Sequence, residues 1–182
     1  LIVNSNWERP IYFNTTSLSS LNINLKRYAV QEGIAYRLLP VKNPDPQDYQ
    51  VNNEVMFDNI MERYHWRELD NPDVYYSEDY RNFCLNHRSA FNVLAISLME
   101  EGDYEKAREV LLRCLEVMPD ESIPFDYFNV QQVGLLLEVG EEELAGYIAE
   151  ETSKDAVQLL DYYIDNGIYD RTELQQKLLS LN

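Results

Sequence analysis

The sequence predicts a mainly α protein with a small N-terminal α/β (β-α-β) unit, and three observations carry that reading. The first is a pair of apolar stripes at helical spacing. Phe91, Leu94, Ala95, Leu98 and Met99 fall on one helix face, and Ala107, Val110, Leu111, Cys114, Leu115 and Met118 fall on another. Between them Glu101-Gly102-Asp103 supplies a left-handed cap for one helix and an N-cap for the next, and Pro119 stops the second stripe. The second observation is a strand, helix, strand order of patterns before residue 42. The third is composition: 182 residues, 45% hydrophobic and 26% charged, enough for one good core or two small ones.

Taken in order, residues 1–16 read as extended. Ile2 and Val3 are β-branched, and Ile11-Tyr12-Phe13 is a short apolar run after the turn Trp7-Glu8-Arg9-Pro10. Ser17 to Glu32 reads as a helix with Leu18, Leu21, Leu25, Tyr28 and Ala29 on one stripe and Gly33 as its stop. Ile34 to Val41 reads as a second strand. Two strands alone are marginal, so this unit is expected to lean on the helices that follow. Lys42 to Asn53, with two prolines and no periodicity, is the clearest linker. A domain boundary is therefore expected there, with an α/β unit and linker over 1–52 and a helical region over 53–182.

In the helical region, Glu54 to Leu69 is expected as a helix with Val55, Phe57, Ile60, Met61 and Tyr64 inward. Asp70-Asn71-Pro72-Asp73 breaks the chain, and Tyr75-Tyr76 anchor the connection. A helix from about Glu78 then leads into the hairpin, either joined to it or broken from it. Beyond Pro119 a second helical pair is expected, Tyr127 to Val139 and Glu141 to Glu151, with Gly140 in the turn. Further helices over 155–165 and 171–181 would close the stack.

The hairpin at 88–120 fits a tetratricopeptide-like repeat, whose period is about 34 residues. With Arg88 as first position, Phe91, Leu94, Ala95 and Leu98 are the expected knobs of the first helix. Gly102 falls in the turn, Ala107 at the close crossing, Leu111 and Cys114 in the second helix, and Pro119 at the exit. Short side chains at Ala95 and Ala107 let the two axes approach. Gly140 follows Gly102 by 38 residues, so 126–153 reads as a degenerate repeat, with Gln132 where an apolar residue is expected. On this register the face open to a partner is Ser89, Asn92, Ile96, Met99 and Glu100, a mildly apolar surface fit for a peptide or a neighbouring domain. The alternative is that this face packs on the N-terminal unit or on the preceding helix.

A formal net charge of −17 argues against nucleic acid and against anionic lipid headgroups. No apolar run reaches the length of about 18 residues that a membrane helix needs. The seven carboxylates between Glu138 and Asp155 read as a solvated outer face. Cys84 and Cys114 make no disulfide framework or zinc pattern, and Cys114 is expected as a buried free thiol, although an oxidising compartment would permit a bridge. His65 and His87 read as surface or capping residues. No phosphate loop, GxSxG or HExxH motif is present, so no catalytic residue, metal or cofactor is expected. Fourteen tyrosines, among them Tyr12, Tyr36, Tyr49, Tyr64, Tyr75, Tyr76 and Tyr127, suit either glycan or peptide contact or the filling of cores.

Asn6 to Phe13, Glu32 to Pro40, Val55 to Met61, Asp70 to Tyr75 and the hairpin follow one another over roughly residues 4–130. Together these phrases resemble the C-terminal region of a Bacteroidetes membrane-protein family, domain of unknown function DUF2723. The resemblance implies a kinship with protein O-mannosyltransferase-like, GT-C-type glycosyltransferases. In such proteins a multi-span membrane domain carries the sugar-transfer chemistry, and the tail is a separate domain on the extracytoplasmic, periplasmic side. A start at Leu1-Ile2-Val3, without Met, is what an excised tail would give. The expected role is then a non-catalytic interaction or accessory domain. Its partner would be a protein, a peptide, the membrane domain of its own chain or a glycan acceptor. The alternatives are a free-standing tetratricopeptide-like adaptor and, least expected, an enzyme in its own right.

Overall fold

A computed structural model describes residues 9–20, 25–43 and 50–167, which fall into two compact units, Leu1–His65 and Trp66–Asn182. The first contains β1 (Ile11–Phe13), α1 (Thr15–Ser20), a 3-10 turn (Lys26–Tyr28), β2 (Ala29–Gln31), β3 (Tyr36–Leu38), β4 (Gln50–Val51) and α2 (Asn53–Asp58). The sheet order is β1-β3-β2-β4, with β3 antiparallel to both β1 and β2, and β4 parallel to β2. Strands β1 and β2 therefore run parallel with α1 between them in sequence, a β-α-β arrangement split by β3. The expected helix over 17–32 ends early, because Ala29-Val30-Gln31 pairs with Tyr36-Arg37-Leu38. Short apolar runs satisfy both a helical stripe and a strand, and the cross-strand partner decides between them. Leu18, Ala29 and Tyr36 form the core on one side of the sheet, with Phe13 and Leu25 packed against them.

The hairpin between β2 and β3 turns at Gly33, whose φ of +124° lies in the region that side chains avoid. The Tyr64 hydroxyl occupies the place a Cβ would take there, and it accepts a long hydrogen bond from Ile34 N at 3.4 Å. This contact explains why the helix expected over 54–69 is shorter. Asn52 caps α2 by accepting from Val55 N, α2 runs on as a π-helical turn (Asn59–Arg63), and Tyr64 is already extended. Met56 and Ile60 are fully buried, whereas Val55, Phe57 and Met61 are half-buried. Asn59 Nδ2 donates to Glu32 O at 2.7 Å, tying the π turn to the β2 end. The segment expected as linker thus contributes β4, and α2 belongs with the strands rather than with the later helices. Residues 44–49 of that segment lie outside the described residues.

The second unit is a helical stack: α3 (Glu78–Glu100), α4 (Tyr104–Val117), α5 (Tyr127–Glu138) and α6 (Glu142–Asp165). The approach to the hairpin and its first helix are one continuous α3. Trp66 packs its ring on Phe91 at 5.1 Å and on His87 at 5.5 Å, and Ser122 Oγ donates to Leu69 O. Gly102 and Gly140 close the two hairpins at φ +84° and +83°. Asp103 caps α4 by accepting from Lys106 N at 3.2 Å. The helices expected over 141–151 and 155–165 are one α6. Thr152-Ser153-Lys154 looks like a break but stays helical: Thr152 Oγ1 donates to Ile148 O, and Lys154 reaches back to Glu150 and Glu151. The helix expected over 171–181 lies outside the described residues.

Between α4 and α5 the chain from Met118 to Asp126 is irregular, and its carbonyls need donors. Arg88 of α3, 1% exposed, supplies them. Its Nη2 donates to Ile123 O at 2.6 Å and Met118 O at 3.2 Å, and its Nη1 to Pro124 O at 2.8 Å and Asp126 Oδ2 at 2.5 Å. Asp126 is also the N-cap of α5: its Oδ1 accepts from Phe128 N at 2.7 Å, while Asn129 Oδ1 accepts from Asp126 N. One guanidinium therefore fixes where the second hairpin begins.

Arg88→Met keeps the length but strips these acceptors of donors, and it is expected to cost about 3–5 kcal/mol in urea unfolding followed by Trp66 fluorescence. A loss below about 1 kcal/mol, the range of exposed pairs, would mean that the clamp does not hold the stack. Gly33→Ala, forced onto Tyr64 at positive φ, is expected to lower the melting temperature of the chain; an unchanged value would rule out a constraint at that turn.

Candidate functional site

Helices α3 and α5 lie side by side and parallel. Arg88 meets Asp126, and one turn later Asn92 Nδ2 donates to Phe128 O at 2.9 Å and Gln131 Oε1 at 3.0 Å. Helix α4 packs on α3, and α6 packs on α5. The candidate site is the surface formed jointly by α3 and α5. Of the five residues expected to face a partner, Glu100 is exposed, Ser89, Ile96 and Met99 are half-buried, and Asn92 is 1% exposed. Asn92 is a correction to the expected face: its amide nitrogen is spent on α5, because α5 covers that flank of α3.

The other half of the surface comes from α5. Tyr127 is 63% and Leu137 52% exposed, and Gln131, Gly134 and Glu138 are exposed with them. The 38-residue spacing of Gly102 and Gly140 points to these residues, since it carries Ser89 onto Tyr127, Ile96 onto Gly134, Met99 onto Leu137 and Glu100 onto Glu138. Sequence reasoning missed them because the degenerate repeat had no aromatic knob to set its register.

Phe91, Leu94, Ala95, Ala107, Leu111 and Cys114 are fully buried, Leu98 is 3% exposed, Gly102 sits in the turn, and Pro119 is half-buried. Beneath the surface the second repeat carries amides where the first carries Phe91 and Leu94: Asn129 and Gln132, both fully buried. Asn129 Nδ2 donates to Gln132 Oε1 at 2.9 Å, and Gln132 Nε2 donates to Cys114 Sγ at 3.2 Å. A buried polar chain thus runs Arg88, Asp126, Asn129, Gln132, Cys114 across α3, α5 and α4. Burial pushes the Cys114 thiol up to about 12, against the opposing pull of the Gln132 hydrogen bond. Burial also raises Cys84. Both are free thiols, and neither environment makes a nucleophile.

In the first unit Glu32 is 5% exposed. It accepts from Tyr12 OH at 2.7 Å and lies 3.5 Å from Arg37 and from Asn52 Nδ2. The bond to Glu32 chiefly holds the Tyr12 phenol above its ordinary range. These contacts join β1, β2, β3 and the α2 cap. Of the tyrosines singled out, Tyr36 fills the core, Tyr64 and Tyr76 are half-buried, Tyr12, Tyr75 and Tyr127 are exposed, and Tyr49 lies outside the described residues. His65 is exposed, and His87 Nδ1 lies 2.9 Å from Phe83 O. Among the described residues no cluster of three or more His, Cys, Asp or Glu is arranged to hold a metal ion, and no helix is long and apolar enough to cross a membrane.

A family model described as TMEM260-associated domain 2 matches residues 1–58, ending at the last residue of α2. No curated protein and no solved structure matches the chain.

The Cys114 environment sets a pH dependence. The unfolded thiol titrates near 9 and the folded one near 12, so the fold is favoured below pH 9 and loses stability as pH climbs from 9 toward 12. Urea midpoints of the natural chain are expected to fall more steeply above pH 9 than those of Cys114→Ala. Parallel slopes would show that the thiol is not protected.

Proposed function

We propose that this chain is a non-catalytic interaction domain at the extracytoplasmic end of a membrane glycosyltransferase-like protein, where it positions an acceptor or a partner protein. The observation that carries the reading is the α3/α5 surface. A rigid pair of parallel helices, locked from below by Arg88 and the amide chain, presents Tyr127 and Leu137 to the outside. The two thiols are buried and raised, so neither offers a thiolate at that surface. The match of residues 1–58 to a domain described as associated with TMEM260 supports an accessory role, and the resemblance of the longer stretch supports the membrane setting.

Deleting residues 1–182 from the native protein is expected to raise the acceptor KM of the membrane domain, with a smaller change in turnover. An epitope placed after Asn182 is expected to be cleaved by protease added outside the inner membrane. Unchanged kinetics together with a protected epitope would sink this reading in favour of a free-standing adaptor.

A further inference from the structure

We propose that Asn166 is a site of spontaneous deamidation, held back by the last turn of α6 and undoing that turn once it has reacted. This chemistry lies outside the interaction-domain reading and does not depend on which partner the domain holds.

The reactive pair is written in the sequence. Asn166-Gly167 is the one Asn-Gly step in the chain, and the other asparagines with a residue after them all precede one that carries a side chain. In an Asn-Gly step the backbone nitrogen of the glycine loses its proton to base and attacks the side-chain carbonyl carbon of the asparagine. The new C–N bond closes a five-membered imide, and the Cγ–Nδ2 bond breaks to release ammonia. Water then opens either imide carbonyl, which leaves aspartate or isoaspartate. No electrons change hands, and water is the only co-reactant. Glycine favours the step because it has no Cβ to obstruct the attack and its backbone turns freely.

The fold sets the rate. Asn166 is exposed and is the C-cap of α6, at φ −96° and ψ 3°. Its Nδ2 donates to Tyr162 O at 2.8 Å, and Gly167 N donates to Ile164 O at 3.2 Å. Both the leaving group and the attacking nitrogen are therefore tied to carbonyls of the last helical turn. At that ψ the Gly167 nitrogen is turned away from the side chain, so the imide closes only when the turn opens. Helix ends open at little cost. Nothing lies within 4 Å of the place a Gly167 Cβ would take, so no packing holds the end shut.

The product removes what held the turn. Exchange of the amide for a carboxylate takes away the donor to Tyr162 O. It also adds a negative charge next to Asp165, at the negative end of the helix dipole, where the last turn has no basic residue. Isoaspartate lengthens the main chain by one methylene and breaks the spacing that helical hydrogen bonds require. The change runs one way, and it leaves the exposed Tyr162 and Ile164 on a frayed end.

The test is incubation of the full chain at mildly alkaline pH, with peptide mapping for the amide-to-acid mass gain and enzymatic methylation to count isoaspartate. Gain at Asn166 is expected to exceed that at every other asparagine and to rise with pH. It is expected to run about three- to tenfold slower than in a capped peptide of residues 161–167, which has no stable turn to open. Gly167→Ala, and Asn166→Gln with its six-membered ring, are each expected to slow it at least about tenfold. Asn166→Asp, the unrearranged product, is expected to speed amide hydrogen exchange over residues 162–167 and to leave α3 and α4 unchanged. A faster gain at another asparagine, a rate in the chain that equals or exceeds the peptide's, undiminished gain in Gly167→Ala, or unaltered exchange in Asn166→Asp overturns the proposal.

Discussion

A single buried guanidinium sets the geometry of the helical unit. Arg88 is enclosed, and four oxygens around it, three of them carbonyls of an irregular segment, accept its protons. Taking that charge out of water is unfavourable unless its donors are satisfied, and here only Nε lacks a partner. Lysine would not serve, since a compact ammonium with three donors cannot match four acceptors spread from Met118 to Asp126. Phe125 lies below the same guanidinium, its ring centroid 6.0 Å away, which adds a favourable cation–π contact. Because the Arg88 counterion is also the N-cap of α5, the position of the second hairpin is coupled to the first through one carboxylate.

The second hairpin is built differently from the first. Phe91 and Leu94 fill space without direction, whereas Asn129 and Gln132 occupy the same positions with amides that accept one partner each. A satisfied polar chain is directional, so it specifies register where packing alone tolerates sliding. The first unit uses the same device on a smaller scale: the buried Glu32 collects Tyr12, Arg37 and Asn52 from three other segments. In both units the polar interior holds architecture, and burial keeps the one thiol in it, Cys114, protonated.

That separation shapes the functional reading. The rigid interior leaves the joint surface of α3 and α5 free of structural duty except at Asn92 and Gln131. An acidic end and an apolar middle lie in line along two parallel helices.

The first hairpin was legible because its two stripes, glycine turn and terminal proline are all local signals, and local signals survive in sequence. Phe91, Leu94, Ala95, Leu98, Ala107, Leu111 and Cys114 are all buried. The strand at Ala29–Gln31 was not legible, since the pattern there fits a helix equally well and the choice is made by β3, which comes later in the chain. Asn92 looked like an outward polar residue because nothing in α3 reveals that α5 will cover it. Arg88 stood in plain view as the first residue of the repeat, yet its role depends on acceptors 30 to 38 residues away. What the sequence determined by itself was therefore the helical periodicity, the turns and the acidic, lysine- and arginine-free stretches. Which polar residues lie inside was decided by the tertiary structure alone, because burial of a polar group is settled by the distant partner that satisfies it.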